Sequence, residues 1–158
     1  MVREGDDAPD FTVPLATGDI DEFGLSDRLE EAPLVFAFFP GAFTSVCSDE
    51  MTAFQDRIEE FRALGATVYG VSIDSPFALN EFRDQLGLEF DLISDSNREV
   101  VDTFDVSMDF EHLGVENIAK RAVFVVDESG TVTYAWVSDD PGREPDYDAV
   151  AQAAGSAA

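Results

Sequence analysis

The sequence predicts an α/β fold in which helices cover both faces of one mixed sheet. Continuous apolar runs within residues 34–39 and 122–127 suit strands that are buried on both faces. They alternate with segments whose apolar residues recur every three or four positions, which is the spacing of an amphipathic helix. A chain of 158 residues is long enough for one domain with a sizeable core and short for two, so we expect a single domain over residues 1–158.

Strands and one long helix account for the amino-terminal part of the chain. A strand is expected over residues 11–15, a turn with a second extended piece over 18–23, and a buried strand over 34–39. One helix should follow and end near residue 65, because a single apolar stripe with spacings of four and three runs along it. The stripe consists of Cys47, Met51, Phe54, Ile58 and Phe61.

The rest of the chain continues the alternation of strands and helices. The expected strands cover residues 67–74, 92–93, 122–127 and 131–137, with a hairpin turn at 128–130 joining the last two. The expected helices cover residues 76–86, 97–104 and 147–154, the first of them capped by Ser75. Residues 105–120 fit no single pattern, and the small residues after 154 are expected to fray. This order fits a thioredoxin-like core with additional amino-terminal elements.

The charge of the chain excludes several classes of partner. With 34 acidic and 9 basic residues the net charge is −25, which disfavours binding to nucleic acids or to an anionic membrane surface. The chain still folds, because 45% of its residues are hydrophobic and 14 are phenylalanine. Acids spread over the whole chain, against a single lysine, indicate a salt-loving source, although an ordinary acidic cytosolic protein is the alternative.

The amino terminus has no apolar leader, and no stretch approaches the roughly 18 apolar residues that would span a bilayer. We therefore expect a cytoplasmic protein. No metal or cofactor motif is present, and the single histidine, His112, has no metal-binding partners at ligand spacing.

The single cysteine, Cys47, is the main candidate for chemistry. Because the chain has no other cysteine, it can form no intramolecular disulfide and contains no CxxC motif. If Thr44 or Ser45 caps the helix, Cys47 lies in the first turn, where unpaired N–H groups and the helix dipole favour a thiolate. Two plainer interpretations stay open: Cys47 lies on the apolar stripe and could be a packing residue, and Thr44 could be only a helix cap.

The spacing Pro40-x-x-x-Thr44-x-x-Cys47 after a buried strand resembles the active-site signature of the peroxiredoxins. The resemblance extends over nearly the whole chain, through further segments at residues 8–11, 70–74, 92–95 and 121–127. It implies a thioredoxin fold and the reduction of hydrogen peroxide, alkyl hydroperoxides or peroxynitrite by a nucleophilic cysteine. That cysteine would be Cys47.

The resemblance also implies roles for the residues around Cys47. The Thr44 hydroxyl and the backbone N–H groups near Phe43 and Cys47 would hold the peroxide, and Pro40 would shield the pocket from water. The family's arginine corresponds to Arg121, whose guanidinium would favour the thiolate and bind substrate.

Two of the implied site residues also have plainer interpretations. The simpler interpretation of Arg121 is a surface ion pair in an acidic chain. Glu50, three residues after Cys47, would orient Arg121 or simply interact with the helix dipole.

The absence of a second cysteine distinguishes this chain from many members of the family. By resemblance, the Cys47 sulfenic acid would be reduced by an external thiol or a thioredoxin-like protein, as in the alkyl hydroperoxide reductase E type. The resemblance also implies a homodimer or larger oligomer. Because no haem, flavin or metal motif appears in the sequence, we expect no cofactor and chemistry carried by sulfur alone. Two alternatives remain: a peroxide sensor that passes oxidation to a partner, and a non-catalytic thioredoxin-fold binding module.

Overall fold

The computed structural model describes residues 2–158, except for the side chain of His112. Over this range the strands are β1 (Thr12–Ala16), β2 (Ile20–Gly24), β3 (Leu34–Phe38), β4 (Thr67–Ser72), β5 (Asp91–Ser94), β6 (Ser107–Phe110), β7 (Val115–Ala119), β8 (Arg121–Val126) and β9 (Val132–Ser138). The α-helices are α1 (Ser45–Asp56), α2 (Ile58–Ala63), α3 (Pro76–Leu86), α4 (Glu99–Thr103) and α5 (Tyr147–Ala157).

Seven of these strands form one mixed sheet in the order β2-β1-β5-β4-β3-β8-β9. At its centre β3, β4 and β5 run parallel, whereas β8 pairs with β3, and β1 with β5, in the antiparallel sense. The thioredoxin-like fold predicted from the sequence is therefore confirmed, with β1 and β2 as the amino-terminal addition. As expected, the hydroxyl of Ser75 accepts a hydrogen bond from the Ala78 N–H at the start of α3.

Alternate residues of β3 are buried on opposite faces of the sheet. Leu34, Phe36 and Phe38 belong to one apolar core, which α4 covers, and Val35 and Ala37 belong to a second core. The helices α1, α2, α3 and α5 cover the second core. Helices therefore lie on both faces, which is why the apolar run 34–39 shows no polar alternation.

The packing of α1 against the sheet is tight at Gly70 of β4. A Cβ atom added there would lie 2.7 Å from Leu92 Cδ2 and 3.0 Å from Met51 Sδ. A larger residue at position 70 would push α1, which carries Cys47, away from the sheet.

The prediction of one helix up to residue 65 was wrong, because the helix is interrupted at Arg57. The backbone there has φ −106° and ψ 10°, and the Arg57 N–H donates to the Phe54 carbonyl three residues back. The apolar stripe remains buried across the break. Apolar spacing reports which side chains are buried and is insensitive to a one-residue break in the hydrogen bonding.

Two further segments differ from expectation. Residues 105–120 form a separate hairpin of β6 and β7, with a short 3-10 turn at Glu111–Leu113 between the strands. The tail expected to fray after residue 154 is helical to Ala157, because alanine favours helix and Ala154 is buried against the second core. No helix in residues 2–158 is long and apolar enough to cross a membrane.

Candidate active site

The candidate site lies at the edge of the sheet where the parallel strands β3 and β4 end. Residues 39–44 connect β3 to α1, and Cys47 is the third residue of that helix. The N–H groups of the first helical turn have no partner earlier in the helix, so Cys47 lies where the backbone is electropositive. The side chain is 1% exposed, and it lines a cavity of about 470 Å³.

Arg121 makes the closest polar contact to the sulfur. It is the first residue of β8, whose antiparallel pairing with β3 places it beside the amino terminus of α1. Its Nη2 lies 3.1 Å from Cys47 Sγ, and its Nη1 lies 2.9 Å from Glu50 Oε1. Nε and Nη2 also donate to the Pro141 carbonyl at 3.0 and 2.9 Å. Arg121 is 1% exposed, so the surface ion-pair interpretation was wrong.

Glu50 lies one turn after Cys47 and is fully buried. Burial raises its pKa to about 8, and the favourable charge of Arg121 offsets this only in part. Glu50 Oε2 has no hydrogen-bond partner within the described part of the chain. One buried cation thus faces two acidic groups, and a Cys47 thiolate beside a protonated Glu50 leaves the cluster with no net charge. The structure places Glu50 against Arg121, which is one of the two interpretations that the sequence left open.

Thr44 and Pro40 both line the cavity next to Cys47. Thr44 occupies the N-cap position of α1, but its side chain makes no capping hydrogen bond. Its hydroxyl instead donates to the Gly41 carbonyl at 3.0 Å, so Thr44 is the N-cap residue by position, as expected, but its side chain does not cap the helix. The structure thus brings all five residues predicted from the sequence to one place: Pro40, Thr44, Cys47, Glu50 and Arg121.

The loop before α1 is fixed by a residue that the sequence analysis did not single out. Asp74, just after β4, accepts hydrogen bonds through Oδ2 from the Ala42 N–H at 2.8 Å and from the Ser72 hydroxyl at 2.7 Å. Phe43 in the same loop has φ +67°, a conformation that costs energy for an aromatic residue. Because β3 and β4 are parallel and adjacent, the loops after them meet, and that adjacency is the signal that could have identified Asp74.

Pro141 and the β6–β7 hairpin were also missed. The hairpin contributes Phe110, Leu113, Val115 and Ile118 to the cavity wall, and Pro141 contributes the carbonyl that holds Arg121. Every residue has a backbone carbonyl, so the sequence does not show which one will accept hydrogen bonds from Arg121. Residues 105–120 have no apolar periodicity that would assign them to a helix or a strand. Within the described residues, no three His, Cys, Asp or Glu side chains are grouped as metal ligands would be.

Comparison with known proteins identifies the family. The chain matches the AhpC/TSA family over residues 4–135. It is 38% identical over 149 residues to a chloroplastic 2-cysteine peroxiredoxin of Chattonella marina var. antiqua, covering 87% of this chain and 72% of that protein. It is 35% identical over 150 residues to the alkyl hydroperoxide reductase C of Helicobacter pylori, covering 88% and 73%. The crystal structure of the peroxidoxin BcpB from Mycobacterium tuberculosis superposes with a TM-score of 0.84 at 27% identity, covering 99% of this chain and 98% of that one.

A thioredoxin-like fold with one cysteine beside a buried arginine defines a thiol-based redox enzyme. The chain belongs to the AhpC/TSA family of peroxiredoxins and is a thiol-dependent peroxidase. The resemblance first drawn from Pro40, Thr44 and Cys47 is thereby confirmed. The relative from Chattonella is named a 2-cysteine enzyme, whereas this chain has one cysteine.

Proposed function

We propose that this chain reduces hydrogen peroxide or alkyl hydroperoxides through a sulfenic acid on Cys47, which an external thiol then reduces. The observation that carries the proposal is the 3.1 Å contact of Arg121 Nη2 with Cys47 Sγ inside a cavity that Thr44 and Pro40 also line. A guanidinium at this distance favours the thiolate, which is the nucleophilic form of cysteine.

In the oxidative step the Cys47 thiolate attacks the terminal oxygen of ROOH. A sulfur–oxygen bond forms, the oxygen–oxygen bond breaks, and the leaving alkoxide takes a proton to give ROH and Cys47–SOH. Negative charge moves from sulfur to the leaving oxygen, so donors fixed beside both positions lower the barrier. Arg121 is the side-chain donor at the sulfur that supports this step. The Thr44 hydroxyl lines the same cavity and would serve a bound peroxide by turning from the Gly41 carbonyl, to which it donates in this structure.

The reducing half uses two external thiols. The first attacks Cys47–SOH, releasing water and forming a mixed disulfide, and the second releases Cys47 and leaves as a disulfide. A chain with one cysteine has no internal thiol for this purpose, which supports the one-cysteine mode of the alkyl hydroperoxide reductase E type.

We also propose that the enzyme works in the cytoplasm as one domain, assembles as a homodimer or larger oligomer, and accepts a small thiol or a thioredoxin-like protein as its reductant.

The test is anaerobic stopped-flow mixing of the fully reduced protein with one equivalent of hydrogen peroxide. Dimedone trapping and mass spectrometry then identify the product on Cys47. We expect oxidation orders of magnitude faster than that of a free thiol at the same pH, with no sulfenic acid in Cys47→Ser. A rate like that of an ordinary thiol, in protein shown to be folded, would instead support a non-catalytic binding module. Multiple turnovers with excess dithiothreitol would argue against a sensor that reacts once and passes its oxidation on.

The acidic surface supports a further proposal, that the protein works at high salt. At a net charge of −25, raising the salt from 0.1 M to 1 M shortens the screening length from about 10 Å to about 3 Å and weakens self-repulsion. We expect the thermal unfolding midpoint to rise by at least several degrees, measured by circular dichroism. If screening is the cause, sodium chloride and sodium sulfate should raise the midpoint equally at equal ionic strength. A larger rise with sulfate would indicate that exclusion of sulfate from the protein surface is responsible. A midpoint that does not change with salt would contradict the proposal.

A further inference from the structure

The buried cluster at the start of α1 holds one cation and two groups that can carry a negative charge. Arg121 Nη2 lies 3.1 Å from Cys47 Sγ, and Arg121 Nη1 lies 2.9 Å from Glu50 Oε1. Each of the three side chains is at most 1% exposed. Resting on the proposed function, we infer that oxidation of Cys47 releases the proton of Glu50, so that the chain itself supplies the proton that the leaving oxygen takes up.

In the reduced protein the Cys47 thiolate neutralises the charge of Arg121. A carboxylate at Glu50 would add a second negative charge, and burial disfavours a cluster with a net charge. Glu50 Oε2 has no hydrogen-bond partner within the described residues, and a buried oxygen without a partner costs less on a neutral carboxyl than on a carboxylate. Burial raises the pKa of Glu50 to about 8, which also favours the protonated form at pH 7.

Oxidation of Cys47 removes the negative charge that keeps Glu50 protonated. Because Cys47–SOH is neutral, Glu50 becomes the acidic group that pairs with the Arg121 guanidinium. The loss of a neighbouring negative charge and the undivided charge of Arg121 both lower the pKa of Glu50. The cluster therefore changes from thiolate, guanidinium and carboxylic acid to sulfenic acid, guanidinium and carboxylate, and its net charge is zero in both states.

Two further titratable groups, Glu144 and Tyr147, act on Glu50 from the carboxy-terminal part of the chain. Burial is the main cause of the raised pKa of Glu50, and the negative charge of Glu144 adds to it. The Tyr147 hydroxyl donates to Glu144 Oε1 at 2.6 Å, and burial raises the pKa of this phenol, so it stays uncharged near neutral pH. Glu144 is exposed and keeps its charge, so neither group competes with Glu50 for the released proton.

The proton balance of the oxidative step can be written in full. The sulfur–oxygen bond forms, the oxygen–oxygen bond breaks, and the attacked oxygen keeps its hydrogen as the sulfenic acid. Cys47–S⁻, ROOH and Glu50–COOH thus give Cys47–SOH, ROH and Glu50–COO⁻. When external thiols regenerate the Cys47 thiolate, Glu50 takes a proton back. Glu50 does not line the cavity, so the quantity to measure is the net number of protons, which does not depend on their route.

The experiment counts the protons taken from solution for each Cys47 oxidised by one equivalent of hydrogen peroxide. A pH-indicator dye in weakly buffered solution reports the protons, and dimedone trapping with mass spectrometry counts Cys47–SOH. At pH 7 we expect close to zero protons in wild type and in Glu59→Gln, whose side chain is 82% exposed, and about one in Glu50→Gln. As the pH rises through about 8, the wild-type count should approach that of Glu50→Gln, because Glu50 is then ionised before oxidation.

Infrared difference spectra of the same reaction identify the group that loses the proton. Oxidation should remove the carbonyl band of a protonated carboxylic acid in wild type and in Glu59→Gln, and Glu50→Gln should show no such loss. Uptake of about one proton by the wild type at pH 7 would overturn the inference. A carboxylic acid band that persists after oxidation would also overturn it, because the sulfenic acid would then have ionised in place of Glu50. If Cys47 of the wild type reacts no faster than a free thiol, the proposed function has failed, and the inference fails with it.

Discussion

Replacing Arg121 with glutamine should lower the rate at which hydrogen peroxide oxidises Cys47 by a factor on the order of 10² to 10³. The guanidinium contacts Cys47 Sγ at 3.1 Å and Arg121 is itself 1% exposed, and removal of one buried donor of this kind costs about this much in other enzymes. Arg121→Lys should recover only a small part of the rate. An ammonium is a single point charge, whereas the planar guanidinium reaches Cys47, Glu50 and the Pro141 carbonyl at once.

Iodoacetamide alkylation separates the two roles of Arg121, because it reports the thiolate but needs no peroxide binding. If the arginine both favours the thiolate and holds the peroxide, the peroxide rate should fall by a larger factor than the alkylation rate. Arg57→Gln is the control, since it removes a half-buried arginine that pairs with Glu60 and Asp148 and does not line the cavity. Circular dichroism should show Arg121→Gln folded, because Glu50 stays protonated at pH 7 when its cation is lost. A peroxide rate within a few-fold of wild type would contradict the assigned role.

The site was predictable where its parts are close in sequence. Pro40, Thr44 and Cys47 fall within eight residues between a strand and a helix, so secondary structure alone places them together. Arg121 is 74 residues from Cys47, and its position depends on the pairing of β8 with β3, which no local pattern specifies. Only the family resemblance predicted it, and by itself its charge favoured a surface ion pair.

The cavity wall was not predictable, for a related reason. Residues 105–120 form a hairpin outside the main sheet, so they lack the continuous apolar run of a central strand. Asp105 and Asn117 adopt positive φ values of 55° and 54°, which a sequence pattern does not specify. The strands β3 and β8 were clear because both of their faces are buried, whereas the hairpin residues that form the cavity wall lie where that constraint is absent.

Glu50 should make the protein less stable as the pH rises from neutral to alkaline. Its folded-state pKa of about 8 lies above the ordinary value of 4.5, so folding favours the protonated form. This contribution to stability is full below pH 4.5 and is lost as the pH rises through about 8. We expect urea unfolding at fixed ionic strength to show a loss of a few kcal/mol between pH 6 and 9. Exposed carboxylates are already ionised above pH 6, so their repulsion changes little between pH 6 and 9.

Glu50→Gln keeps an oxygen that can accept from Arg121 Nη1 but cannot ionise, so it should remove this part of the pH dependence. Glu59→Gln, on a side chain that is 82% exposed, should retain it. The same ionisation should lower the peroxide rate above pH 8, because a carboxylate at Glu50 competes with the Cys47 thiolate for one guanidinium. The rate at which peroxide oxidises Cys47 in Glu50→Gln should not fall above pH 8. A parallel loss of stability in wild type and Glu50→Gln would show that Glu50 is ionised throughout this range, and its pairing with Arg121 would then outweigh the effect of burial.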